Sequence, residues 1–184
     1  MAISNDKLPG EYIAGFVDGE GCFSLNFRRD VRHERKNHPT YFAWQAQFIV
    51  NIRADDARIL EAIKNTLGCG ILSLAKKGMI SFAVQNINEL HDIIIPFFRK
   101  FSLFGKKKYD FNLWAEAVEI IYQHKKATVN LQPGKKGFVK NDWSKENFNR
   151  LLDIVKTMRP YKSGVSKEPK WLYIAETMLE EIVP

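Results

Sequence analysis

The sequence predicts an α+β domain built on one four-stranded antiparallel sheet with helices covering one of its faces. Three observations lead there. The apolar period changes from helical to two at Gly21, a strand, strand, helix order is read twice before Pro96, and Gly68, Gly78 and Pro96 punctuate the runs. A chain of 184 residues with 45% apolar content is long enough to bury a core. It reads as one domain over residues 1–184, with a core over about 8–124 and a basic loop and C-terminal helices over about 125–184.

The first helix opens at Pro9, whose missing N–H would lack a partner in the first turn anyway. Ile13, Phe16 and Val17 form its apolar stripe, while Tyr12, Gly15 and Gly19 form a second stripe almost without side chains. Each interior glycine costs about 1 kcal/mol relative to alanine, so the bare stripe calls for compensation by close packing, and an identical helix would supply it. Phe23, Leu25 and Phe27 then alternate with Cys22, Ser24, Asn26 and Arg28 in a first strand. A basic tip over 28–39 leads to a second strand, where Trp44, Ala46, Phe48, Val50 and Ile52 oppose Gln45, Gln47, Ile49, Asn51 and Arg53. Asp55 or Asp56 caps a helix carrying Ile59, Leu60, Ile63 and Leu67 that stops at Gly68. A second hairpin follows over 71–75 and 79–85, and a short helix from Asn88 ends at Pro96. Asp110 is expected to cap a third helix through Tyr122, and 125–141 reads as a lysine-rich loop. Ser144 caps a helix ending before Pro160, and Trp171 to Met178 is a short amphipathic appendage.

The formal charge of +7 and pI near 9.4 point to a polyanionic partner. Cys22 and Cys69 are too few for a disulfide framework and show no zinc spacing, which fits a reducing compartment. Neither a secretory signal nor an apolar run of about 18 residues is read, so no membrane partner is expected.

Asp18 and Glu20 fall where the first helix ends, beside the negative end of its dipole, and a bound cation would reverse the penalty they incur there. The string Ile13-Ala14-Gly15-Phe16-Val17-Asp18-Gly19-Glu20-Gly21 resembles the nonapeptide of the LAGLIDADG homing endonucleases, with Glu in place of the final Asp. The resemblance implies the αββαββα fold with a saddle-shaped sheet, and a site-specific DNA endonuclease that makes metal-dependent double-strand breaks at a long, near-palindromic target and promotes intron mobility. It implies that Glu20 holds a divalent metal (Mg²⁺) at the scissile phosphate, that Gly19 adds its carbonyl, and that Asp18 caps the paired helix. The single copy of the motif implies a homodimer with an interface of Tyr12, Gly15, Asp18 and Gly19. A lysine before the third helix, Lys107 or Lys106, is placed near the active site. Some family members carry a polar residue where this chain has Ile52, and Gln47, Asn51 or Arg53 would substitute. An intron-encoded RNA maturase, or a DNA-binding protein of the same fold that does not cut, is the alternative. The compartment implied is an organelle or the prokaryotic cytoplasm.

One face of each hairpin collects amides and basic residues: Ser24, Asn26, Arg28, Gln45, Gln47, Asn51 and Arg53 in the first, Ser73, Lys76, Lys77, Ser81 and Gln85 in the second. Asn and Gln pair with adenine edges and Arg with guanine, and an antiparallel ribbon fits the major groove of double-stranded DNA. Arg29 and Arg32 at the tip belong with this surface, and Lys135, Lys136 and Lys140 are expected to clamp phosphates.

Overall fold

Helix α1 (Gly10–Glu20) starts directly after Pro9, whose carbonyl accepts the first helical bond from Ile13 N–H at 3.2 Å. The computed structural model describes residues 7–31, 33–34, 36–38, 40–131, 143–158 and 169–182. Ile13 and Val17 are fully buried, and the Leu8 N–H bonds Thr66 Oγ1 at 2.9 Å, tying the start of α1 to the second helix. Gly21 ends α1 in extended backbone (φ −76°, ψ 159°), so the helix passes straight into β1 (Gly21–Val31).

The elements continue as β2 (Thr40–Arg53), a 3₁₀ turn (Ala54–Asp56), α2 (Ala57–Leu67), β3 (Ile71–Ala75) and β4 (Met79–Val84). The sheet order is β1-β2-β4-β3, the single antiparallel sheet expected of two hairpins. Gly68 closes α2 with φ 70°, a left-handed stop that glycine takes without steric cost. Asp56 stands at the N-cap position of α2 without a side-chain cap bond, because the helix is entered through the 3₁₀ turn, and Asp55 pairs with Arg53 instead.

Four expected boundaries move. Helix α3 is opened by Asn86, whose Oδ1 accepts from Asn88 N–H at 3.0 Å, and runs through Ile87–Glu89, a π turn over Leu90–Ile94, and Ile95–Lys100. Pro96 therefore does not end it, since the wider turn just before the ring relieves the clash a proline makes with the preceding carbonyls. Helix α4 begins at Lys107 rather than after Asp110 and continues to Leu131, through the first part of the expected loop. Helix α5 (Lys145–Met158) is capped by Ser144 Oγ, which accepts from Asn147 N–H at 3.2 Å, and α6 (Lys170–Glu181) is the amphipathic appendage.

The chain divides into two compact units, Met1–Ser24 with Ala46–Val118, and Leu25–Gln45 with Glu119–Pro184. β1, β2 and α4 each contribute to both units. In the first unit Phe23 is the hub, stacked on Phe48 (5.3 Å) and meeting Phe98, Phe111 and Trp114 at 5.6, 5.3 and 5.0 Å. In the second, Phe27 and Trp44 pack on each other and on Phe148, and Lys156 pairs with Glu176 at 2.7 Å to join α5 and α6.

Candidate functional site

The C-terminal end of α1 and the N-terminal end of α4 are locked together by four bonds. Asp18 accepts from the N–H groups of Phe104 (Oδ2, 2.6 Å) and Gly105 (Oδ1, 3.2 Å), so its carboxylate faces the positive end of α4. Lys107 Nζ donates to the carbonyls of Asp18 (2.7 Å) and Gly19 (2.8 Å), placing a cation at the negative end of α1. Each charge sits against the helix pole that favours it. The structure thus brings Lys107 to the motif, whereas Lys106 is exposed in the turn before α4. Within its own chain Asp18 caps the approach to α4.

Glu20 is exposed and makes no hydrogen bond or ion pair with another described residue. It lines an open cavity of about 680 Å³ with Asn51, Ile52, Arg53, Asp55 and Asp56. Arg53 is held there by Asp55 through Nε (3.2 Å) and Nη2 (2.8 Å). Gln47 is not among the lining residues: at about 3.3 Å per residue it stands roughly 13 Å back along β2 from Asn51, so it belongs to the sheet and not with Glu20. Cys69 is no nucleophile for this region, because burial, reinforced by the Glu89 carboxylate, pushes its thiol up to about 11.

The other face of the bare helix stripe is open. Tyr12, Gly15 and Gly19 are exposed, and a methyl group added at either glycine would meet no described atom within 4 Å beyond its chain neighbours and its own helix backbone. Packing among the described residues therefore does not account for these glycines. Phe104, whose backbone Asp18 holds, carries its ring 96% exposed.

Directly opposed residues of neighbouring strands share a face. Asn51 pairs with Ser81 and Ser81 with Ser73, a polar row across β2, β4 and β3, beside the row of Arg53, Met79 and Ala75. The next row, Ile49, Ala83 and Ile71, is apolar, with Ile71 61% exposed, so this face is not the unbroken set of amides and bases expected. Ser24 is a further correction: its Oγ is buried without a hydrogen-bond partner, and its carbonyl receives the Trp114 indole N–H at 3.2 Å, so the hydroxyl is shielded from a ligand. Asn26, Gln45 and Gln47 are half-buried at alternate strand positions, Arg28 and Arg29 are exposed, and Lys77 tops the β3–β4 turn at φ 61°. Gln85 lies just past the end of β4. Arg32, Lys135, Lys136, Lys140 and the Lys76 side chain lie outside the described residues. Among the described residues no three or more His, Cys, Asp or Glu side chains surround a metal position, and no helix is long and apolar enough to cross a membrane.

Residues 13–118 match the family model described as LAGLIDADG endonuclease. The chain is 29% identical over 126 residues to a Neurospora crassa protein named "Probable intron-encoded endonuclease 3", a match covering 68% of this chain and 22% of the relative. It spans about a quarter of the length of the relatives it matches in this way. Among solved structures, the homing endonuclease I-TnaI superposes with a TM-score of 0.64 at 21% identity, covering 96% of this chain and 99% of that one. The I-SmaMI LAGLIDADG homing endonuclease bound to cleaved DNA superposes at 0.63 with 22% identity, covering 98% of this chain and 50% of that one.

Proposed function

The chain belongs to the LAGLIDADG endonuclease family, and from that premise we propose that it is a homodimeric, metal-dependent, site-specific endonuclease for double-stranded DNA, working in an organelle. The observation that carries this reading is Glu20, an exposed carboxylate without a partner among the described residues at the end of the motif helix, next to a backbone carbonyl that already binds a cation, the Lys107 ammonium.

The donors fit Mg²⁺. It takes hard oxygen ligands and is held by one or two carboxylates with waters and phosphate oxygens, which suits Glu20 and the Gly19 carbonyl. Bound there, the metal would polarise the phosphodiester and make the attacking water more acidic. Each chain has one such carboxylate on its motif helix, and the exposed stripe of Tyr12, Gly15 and Gly19 suits a second copy, which would bring a second Glu20 for the opposite strand. Lys107 holds the end of α1 in place and adds positive charge beside Glu20. The strand positions of Asn26, Gln45, Gln47, Asn51, Ser73 and Ser81 supply donors and acceptors for base edges, with Ile49 and Ile71 for thymine methyl groups. The exposed Arg28, Arg29 and Lys77 meet phosphates.

The test is a duplex spanning the uninterrupted insertion site of the coding region, incubated with protein in Mg²⁺ and in EDTA. Double-strand breaks are expected in Mg²⁺ only, and Glu20→Gln is expected to lose them while retaining duplex binding. Breaks that persist in EDTA or in Glu20→Gln would overturn the reading.

A further inference from the structure

The cavity beside Glu20 poses an electrostatic problem. Three carboxylates line it, Glu20, Asp55 and Asp56, and they repel the phosphodiester that the proposed chemistry must bring to Glu20. Arg53 is the one cation among the described residues lining it. Its side chain is 80% exposed, yet its orientation is set, because Asp55 engages it through two parallel N–H···O bonds, Nε to Oδ1 at 3.2 Å and Nη2 to Oδ2 at 2.8 Å. That fork uses two of the five guanidinium N–H donors and leaves three, including both on Nη1, for an anion.

The backbone explains why the pair forms. Arg53 is the last residue of β2, and Asp55 lies two positions on, in the 3₁₀ turn that folds the chain back towards α2. The turn holds the carboxylate within reach, and Asp55 is free for this because neither it nor Asp56 makes a side-chain cap bond to α2. Neighbouring Ile52 is buried and brings no polar group to the cavity.

We propose that Arg53, oriented by Asp55, binds the phosphate of the strand to be cut beside Glu20, so that Arg53 is a phosphate-binding residue rather than a base reader and Asp55 is its positioning residue. The proposal rests on the nuclease reading above. It assigns the polar role left open at Ile52 to a residue one position further on, and it gives the Arg53–Asp55 pair a purpose that stability does not, since an exposed ion pair contributes only about 0–1 kcal/mol.

Binding to the same insertion-site duplex is measured in EDTA between 50 and 200 mM salt for the full chain and its variants. Each phosphate neutralised contributes about 0.9 to the slope of log Kobs against log salt concentration. Arg53→Ala is expected to flatten the slope by about 0.9 per chain, and Arg53→Lys to preserve it. An unchanged slope in Arg53→Ala, or one unchanged while discrimination against single base-pair changes is relaxed, would overturn the proposal in favour of a bystander or a base reader. Asp55→Asn keeps the Arg53 charge. It should therefore keep the slope while slowing single-turnover cleavage in Mg²⁺ about tenfold, with Asp55→Glu restoring part of the loss. Cleavage unaffected by Asp55→Asn would overturn the positioning role. The binding arms need no cleavage, so a wild-type protein that never cuts would count against the nuclease reading alone.

Discussion

Asp18 shows how much one side chain settles at this site. The resemblance supplied a capping role for it, but no local signal in the sequence reveals that its partners lie 86 and 87 positions away, at Phe104 and Gly105 of the same chain. Two bonds from backbone N–H groups to a carboxylate are of the charge-assisted kind, and removing the acceptor strands both donors. Asp18→Ala should cost about 1–3 kcal/mol of unfolding free energy, read from the urea midpoint, and Asp18→Asn less, since one acceptor oxygen remains. The choice between Lys106 and Lys107 was equally illegible. Adjacent lysines in a charge run look alike in sequence, and only the onset of α4 at residue 107 turns one of them towards the carbonyls of α1. Ser24 was misplaced for a related reason. Its period-two phase puts it with polar neighbours, while its burial depends on packing that no short window of sequence contains.

At the scale of elements, most of the chain was legible. The change of period at Gly21, the left-handed stop at Gly68, the β3–β4 hairpin and the Ser144 cap all follow from local rules, and all are present. The failures share a cause. Pro96 reads as a terminator unless a π turn precedes it, and the lysines at 125 and 126 read as loop although α4 runs through them. The glycines of the motif allow a test that separates fold from association. At Gly21 an added methyl would lie 2.5 Å from Val17 Cγ1 and 2.9 Å from the Val17 carbonyl oxygen, so Gly21→Ala should destabilise the domain by about 1–3 kcal/mol. Gly15→Ala and Gly19→Ala meet open space and should leave the thermal midpoint of the isolated chain unchanged or raise it, as alanine is the better helix former. The same methyl groups should weaken self-association about tenfold in sedimentation equilibrium, since about 1.4 kcal/mol of overpacking at a helix crossing suffices for that. Glycine variants that unfold the chain yet leave its self-association intact would contradict this division.

For the whole molecule, the decisive property is its state of assembly. Tyr12 and Phe104 expose aromatic surface, and no described side chain covers the glycine stripe that Tyr12 shares. If this surface is the interface of the proposed dimer, Phe104→Glu should shift the protein to monomer without lowering its thermal midpoint, because a ring 96% exposed contributes nothing to the core. A dimer as strong as wild type in that variant would place the interface elsewhere. The junction of α1 with α4 has a further consequence, in the order of biosynthesis. The acidic tip of the motif is synthesised before its bracing, which comes from residues 104, 105 and 107, so a nascent chain that ends ahead of them carries that tip unanchored. Messages truncated ahead of that point therefore yield a polypeptide in which the Asp18 carboxylate lacks both of its N–H donors.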